Sequence, residues 1–347
     1  MQAHNNGVID PNHHPKGTEI NQSSIEDSLL MAIQNLDTPI DNTGLFKVKT
    51  SNQWLLDASS RPVPKALYQS LWFEDEICVL FAETNLGKSI LAVQIGVEIA
   101  ANQKIIYFDF ELTDKQFERR YSEDFTNHYT FPENFLRAEI DPEEVEYAIA
   151  GFKTMEDYLI NSIERVVIET GAKVLIIDNL TYLRTETEKA KDALPLMKQI
   201  KALKNKYWLS ILCLAHTPKR DLSKSITQND LAGSKMLMNF CDSSFAIGSS
   251  TQDKATRYIK QIKVRNSEFL FDSENVAIYQ IEKPFNFVHF SSKGFSSERE
   301  HLKQMTEQDR ENIIRKVKEL SVQGLSQREI AANLYISVGS VNNYLKK

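Results

Sequence analysis

Two kinds of apolar pattern alternate along this chain. EICVLFA (76–82), KIIYFDF (104–110), KVLIID (173–178) and LSILCLA (209–215) are short, nearly unbroken apolar runs, the pattern of strands buried on both faces. Between them, residues 88–101, 113–123 and 154–171 read as helices, and a further helix opens near Pro195 with Leu196, Ile200 and Leu203 on one stripe. Short strands alternating with helices predict an α/β fold, a mostly parallel central sheet covered on both faces. Four closely spaced runs, 244–248, 256–264, 276–282 and 285–291, predict an antiparallel extension of that sheet.

The pattern changes at both ends. Residues 1–45, rich in Asn, Gln, Ser, Asp and His, predict a disordered arm, and His13-His14 within it carry no metal-site signal. Residues 46–292 form the main domain, with 46–75 as an ordered lead-in that contains Trp54, the RPVPK stretch 61–65 and Trp72-Phe73. A polar linker is expected over 293–306, and 307–347 reads as a small all-α domain. There, Ile313, Ile314, Val317 and Leu320 mark a helix over 308–323 that Gly324 stops. Ser326 and Glu329 form a capping box for a second helix with Ile330, Ala331 and Leu334. A turn follows at Tyr335-Ile336, and Ser337 caps a last helix.

Composition narrows the class. The 347 residues are 41% hydrophobic, enough for a real core. No apolar run approaches the roughly 20 residues of a membrane-spanning helix. The polar N-terminus lacks the apolar region of a secretory signal. Cys78, Cys213 and Cys241 are isolated in or beside apolar runs, which predicts buried thiols in a reducing cytoplasm. The net charge of −6 weighs at first against a nucleic-acid partner. Resolved along the chain, the acidity sits in residues 109–170, with 16 acidic and 6 basic side chains. Residues 187–224 hold 9 basic against 3 acidic, and residues 301–347 hold 8 against 5. A screened field reaches about 10 Å at 0.1 M salt, so a partner feels the local sign.

Candidate chemistry begins at residues 82–89, Ala82-Glu83-Thr84-Asn85-Leu86-Gly87-Lys88-Ser89. They follow an apolar strand, precede a helix, and match the phosphate-loop pattern G-x-x-x-x-G-K-[ST] except at Ala82. Backbone N–H groups and a helix N-terminus would cradle phosphates, Lys88 would reach the β and γ phosphates of ATP, and Ser89 would ligate Mg2+. Asn85 visits positive φ readily and compensates for the missing first glycine. Asp178 ends a buried strand, where an open sheet places its ligands, and would hold the metal's water shell. Asn179 follows it, so a water-orienting carboxylate must come from elsewhere. Glu111, at the end of the second strand, is the candidate and Asp109 its competitor. His216 ends the strand after Asp178, in position to sense a γ-phosphate. Lys263 and Arg265 share one face of a strand end and suit the phosphate of a neighbouring subunit.

This set resembles the RecA-fold ATPases, in particular ring-forming helicases of the RepA-like and DnaB-like branch with their KaiC-like and RadA-like relatives. It is also similar to AAA family ATPases of bacterial mobile elements. The resemblance covers about residues 75–292 and implies an ATP-hydrolysing, DNA-binding motor that forms rings, hexamers, in the cytoplasm. That motor would be a helicase or translocase serving replication or mobilisation. It assigns catalytic roles to Lys88, Glu111, Asp178, His216, Lys263 and Arg265. The basic loop after His216, with Lys219, Arg220, Lys224 and Lys235, would face single-stranded DNA in a central channel. The C-terminal helices resemble a helix-turn-helix, which implies duplex contacts from Ser340, Asn342, Asn343 and Lys346. An ATP-switched DNA-binding regulator or loader without unwinding activity is the alternative.

Overall fold

The computed structural model describes residues 46–141, 143, 152, 154–180, 193–231, 234–304, 307–334 and 336–346, without the side chains of 193–194 and 234–236. The expected arm 1–45, the Lys235 side chain and Tyr335 lie outside the described residues. The chain divides into two units, residues 1–63 and 64–347, so the division falls inside the expected lead-in. In the first, helix α1 (Ser51–Ser59) is capped by Thr50, whose hydroxyl accepts from the Gln53 backbone N–H.

The second unit is built on a nine-stranded sheet. Its strands are β3 (Ile77–Ala82), β4 (Ile105–Asp109), β7 (Phe135–Ala138), β8 (Val174–Asp178), β9 (Ser210–His216), β10 (Ser243–Ser249), β11 (Thr256–Lys263), β12 (Val276–Glu282) and β13 (His289–Ser296). Two short antiparallel ribbons stand outside it, β1 (Ala66–Tyr68) with β2 (Trp72–Phe73), and β5 (Ser122–Glu123) with β6 (Asn127–His128). The sheet order is β13-β12-β11-β10-β3-β9-β8-β4-β7. From β10 to β7 every pairing is parallel, and β11, β12 and β13 add an antiparallel extension.

Helix α2 (Lys88–Ala100) buries Leu91, Ala92, Ile95 and Ile99 against one face. Helices α4 (Met155–Thr170), α5 (Ala193–Tyr207) and α6 (Ser234–Phe240) cover the other with Leu159, Ile163, Leu196, Ile200 and Leu237. The result is a three-layer α/β arrangement with a mostly parallel sheet in the middle. Between β4 and β7 the polar helix α3 (Asp114–Arg120) is closed by a Thr113–Gln116 capping box. The three cysteines are buried free thiols.

The sequence patterning misplaces two elements. The stretch 285–291 is strand only from His289, because Pro284 and left-handed Phe285 (φ 58°) reverse the chain before β13 starts. Residues 293–302 are therefore not a linker. They complete β13 and a short helix α7 (Glu298–His301), where Glu298 is 1% exposed. Its carboxylate accepts from the Ile226 N–H at 2.7 Å and pairs with Lys260 at 2.6 Å, so the segment is part of the main body. Strand β7 gave no clear pattern because only Phe135 in it is buried.

The last three helices are α8 (Glu307–Val322), α9 (Gln327–Leu334) and α10 (Val338–Leu345). They close around Val317, Ile330, Ala331 and Val341. The Ser326–Glu329 box is reciprocal, at 2.8 and 3.3 Å, and Ser337 Oγ accepts from the Ser340 N–H at 3.0 Å.

One close approach sets the height of α2 over the sheet. A Cβ on Gly96 would fall 2.6 Å from Phe135 Cε2, and that ring is held by Tyr107 and Phe131. Gly96→Val is expected to destabilise the protein by about 1–3 kcal/mol through overpacking, read as a lower urea midpoint at unchanged m.

Candidate nucleotide site

All the parallel strands end at one edge of the sheet, and the candidate residues are delivered there. Ala82 at the end of β3 is level with His216 at the end of β9, and Asp109 of β4 is level with Asp178 of β8. Between β3 and α2 the chain turns through Asn85 (φ 66°) and Gly87 (φ 95°). A Cβ on Gly87 would sit 2.9 Å from Ile281 Cδ1 and from Phe290 Cε2, so glycine is required by packing as well as by dihedral. Ala82 stands where the pattern has glycine, but it is the last residue of β3, buried and without a left-handed dihedral. Leu86 packs on the core beneath α2. Both departures from the pattern are absorbed by packing.

Lys88 opens α2 and is 7% exposed. Its Nζ donates to the carbonyls of Ala82 (3.2 Å) and Glu83 (3.4 Å) and to His216 Nδ1 (3.2 Å). An ammonium only donates, so Nδ1 accepts and the imidazole proton is assigned to Nε2. That proton points to Glu111 Oε1 at 3.1 Å. The Asn179 amide donates to the same Glu111 oxygen and lies 3.1 Å from His216 Nε2. Lys88, His216 and Glu111 thus form one chain of contacts across three strand ends. Burial lowers the Lys88 pKa, opposed by the charges of Asp178 and Glu111. The hydrogen bond with His216 holds the Glu111 carboxyl below its usual range, against partial burial.

Asp178 is 1% exposed. Tyr107 donates its hydroxyl to Oδ2 at 2.6 Å, while Oδ1 is buried with no hydrogen-bond partner. Burial pushes this carboxyl up to about 6, moderated by the Ser89 and Tyr107 hydroxyls. Asp109 has a different occupation. It accepts from the Glu111 N–H (3.1 Å) and the Leu112 N–H (2.9 Å) and pairs with Arg137. It shapes the turn that presents Glu111, and of the two carboxylates only Glu111 reaches His216. Asn179, Tyr107 and Arg137 were missed by sequence reasoning. Asn179 and Tyr107 had position as their one sequence signal, next to Asp178 and two residues before Asp109, and Arg137, on β7, had none.

The residues fit a magnesium-bound nucleoside triphosphate. A helix N-terminus, a buried lysine and a left-handed glycine surround one loop, and an unpartnered carboxylate oxygen near a serine hydroxyl is the donor type a hard cation takes.

Other expected residues lie elsewhere. Because β11 runs antiparallel to β10, Lys263 ends at the opposite edge of the sheet from the chain's own phosphate loop. Its Nζ donates to the Met238 (2.5 Å) and Cys241 (2.7 Å) carbonyls, so Lys263 caps the end of α6 rather than presenting a free cation. Arg265, beside it, is exposed and paired with Asp242 at 2.8 Å. Arg220 also departs from expectation. Its side chain is 7% exposed, bonded to Asp230 (3.0 Å) and to the Lys224 carbonyl (2.8 Å), so it holds its loop together rather than facing a partner. Its backbone N–H donates to Glu83 Oε1 at 2.6 Å, which ties this loop to the phosphate loop. Lys219, Lys224, Asn342, Asn343 and Lys346 are exposed or largely so, and Ser340 is half-buried.

A mostly parallel sheet with this loop and this cluster at its strand ends is the arrangement of a P-loop ATPase. The chain belongs to the AAA domain family, whose profile matches residues 45–221. Among solved structures it is similar to a KaiC-like protein from the hyperthermophilic archaeon Pyrococcus horikoshii OT3. The TM-score is 0.46 and the identity 13%, over 63% of this chain and 91% of that one. The search of curated proteins found no match. Among the described residues no helix is long and apolar enough to cross a membrane.

Asp178 also carries a stability signature. Its folded pKa, about 6, lies above the ordinary 3.8, so the fold favours its protonated form. That contribution is present below pH 3.8 and is lost as pH rises through about 6. Asp178→Asn keeps the Tyr107 contact without the charge. Without nucleotide or magnesium, the variant is expected to melt above the parent at pH 7–8, with the difference shrinking towards pH 4 in a thermal series.

Proposed function

We propose that this protein is an ATP-hydrolysing, DNA-binding motor, a ring-forming helicase or translocase of the kind that serves replication or mobilisation of a mobile element. The observation that carries the reading is the contact chain from Lys88 through His216 to Glu111. It puts a phosphate-binding cation, a polar relay and a carboxylate in one line at the sheet edge.

Ser89 and Asp178 would hold Mg2+, whose charge withdraws electron density from the β and γ phosphates when it is bound. Lys88 binds the phosphate oxygens from inside the loop. Glu111 orients the attacking water and takes its proton at Oε1 or Oε2, with Asn179 fixing the carboxylate. When Lys88 turns to a γ-phosphate, His216 Nδ1 loses its donor. The imidazole then reorients, and because it ends β9 the change passes into loop 217–224. Arg265 stands away from its own loop, so the nucleotide it serves belongs to another copy of the chain, in a hexameric ring.

The second reading, an ATP-switched regulator or loader, has one observation in its favour. Lys263 is spent on helix carbonyls, which leaves Arg265 alone to act on a neighbour.

Hydrolysis measured with no DNA, single strand and duplex separates these readings, beside sedimentation with and without nucleotide. Lys88→Ala is expected to abolish hydrolysis. Glu111→Gln should lower kcat by about 100- to 10,000-fold with nucleotide affinity kept. Turnover indifferent to DNA would sink the motor, and an unchanged rate in Glu111→Gln would remove Glu111 from its role.

A further inference from the structure

A cleft of about 930 Å³ separates the loop after His216 from the three C-terminal helices. Lys219, Lys224 and Lys303 line it from the body, and Arg315 and Lys316 of α8 from the helices. Arg220 also lines the cleft but is paired with Asp230, which leaves five cations against the two carboxylates of Asp221 and Asp309, in a chain whose total is −6. Both carboxylates sit in loose surface pairs, Lys224–Asp221 at 3.4 Å and Lys303–Asp309 at 3.9 Å. Exposed pairs of that kind contribute little and are screened by salt.

We infer that this cleft holds a single strand of nucleic acid, gripped by the ATPase body on one side and by the helical module on the other. The inference rests on the DNA-binding reading above, and it replaces the duplex contacts expected of the last helix from its sequence with contacts to a single strand. The volume lies in the range of small-ligand pockets, about 300–1,000 Å³. It takes a few nucleotides of one strand, not a duplex with two backbones. The cations follow a backbone, and the Tyr344 ring on the same wall offers a base a stacking surface. Ser337 and Ser340 line the cleft, whereas Asn342 and Asn343 are exposed outside it. The body wall is bound to the phosphate loop twice, by Arg220 N–H to Glu83 (2.6 Å) and Thr217 N–H to the Ala82 carbonyl (3.0 Å). A change at the nucleotide therefore reaches the grip on the strand.

The full-length protein is titrated against fluorescein-labelled oligothymidine over a salt series, with Lys219→Ala from one wall and Lys316→Ala from the other. Each variant should bind the single strand more weakly and lower the slope of log affinity against log salt by about 0.7. A 4-thiothymidine oligonucleotide should crosslink to peptides from both 219–224 and 336–344. Circular dichroism melts check that both variants fold. Crosslinking to one wall alone, or a Lys316→Ala effect confined to duplex, overturns the shared cleft. Displacement of the oligonucleotide by polyglutamate at equal charge also overturns it, in favour of an acidic protein segment. If DNA stimulates the parent's hydrolysis while both variants bind strand as the parent does, the cleft fails and the motor stands. If the parent does not hydrolyse ATP, the motor fails, and binding and crosslinking still decide the cleft.

Discussion

A buried ammonium must be surrounded by acceptors, and the arrangement at Lys88 follows from that requirement. Lys88 is 7% exposed and finds two carbonyls and an imidazole nitrogen. The carbonyls come from the end of β3 and the imidazole from the end of β9, so the cation holds only while those strands keep their register. The imidazole's tautomer is set by the lysine, and the tautomer directs the remaining proton to Glu111. One desolvated charge therefore orders three residues that are distant in sequence. Asp178 meets the same constraint, in the other sign, only halfway, with Tyr107 on one oxygen and the other unpartnered.

Much of this was legible in the sequence, for a physical reason. Strands buried on both faces must be apolar throughout, so β3, β4, β8 and β9 are unmistakable, and their last residues are the ones a parallel sheet gathers. Ala82, Asp178 and His216 could be located by counting to the end of an apolar run. Capping is equally local, and Ser326 with Glu329 closes as the spacing implies.

What was not legible depended on partners remote in sequence. Asp109 and Glu111 are two residues apart and both acidic, and only Arg137 on β7 decides which one is free to face His216. Lys263 reads as a presented cation until the end of α6 comes to lie under it. Arg220 reads as a basic loop residue until Asp230 folds back on it. The strand over 289–296 hides in a polar sequence because only Phe290 in it is buried. In each case charge or polarity was read correctly and the tertiary neighbour was missing.

The wall behind Gly87 has a consequence for how much of the chain the site requires. That glycine is pressed on by Ile281 of β12 and Phe290 of β13, about two hundred residues downstream. The family match ends at residue 221 and contains Lys88, Ser89, Glu111, Asp178 and His216. A fragment cut there would keep every one of those side chains, yet nothing would stand behind the turn that aims them. Modularity in this protein stops short of its own signature. The recognisable half supplies the reactive groups, and the antiparallel strands beyond it supply the backing that keeps the loop in shape.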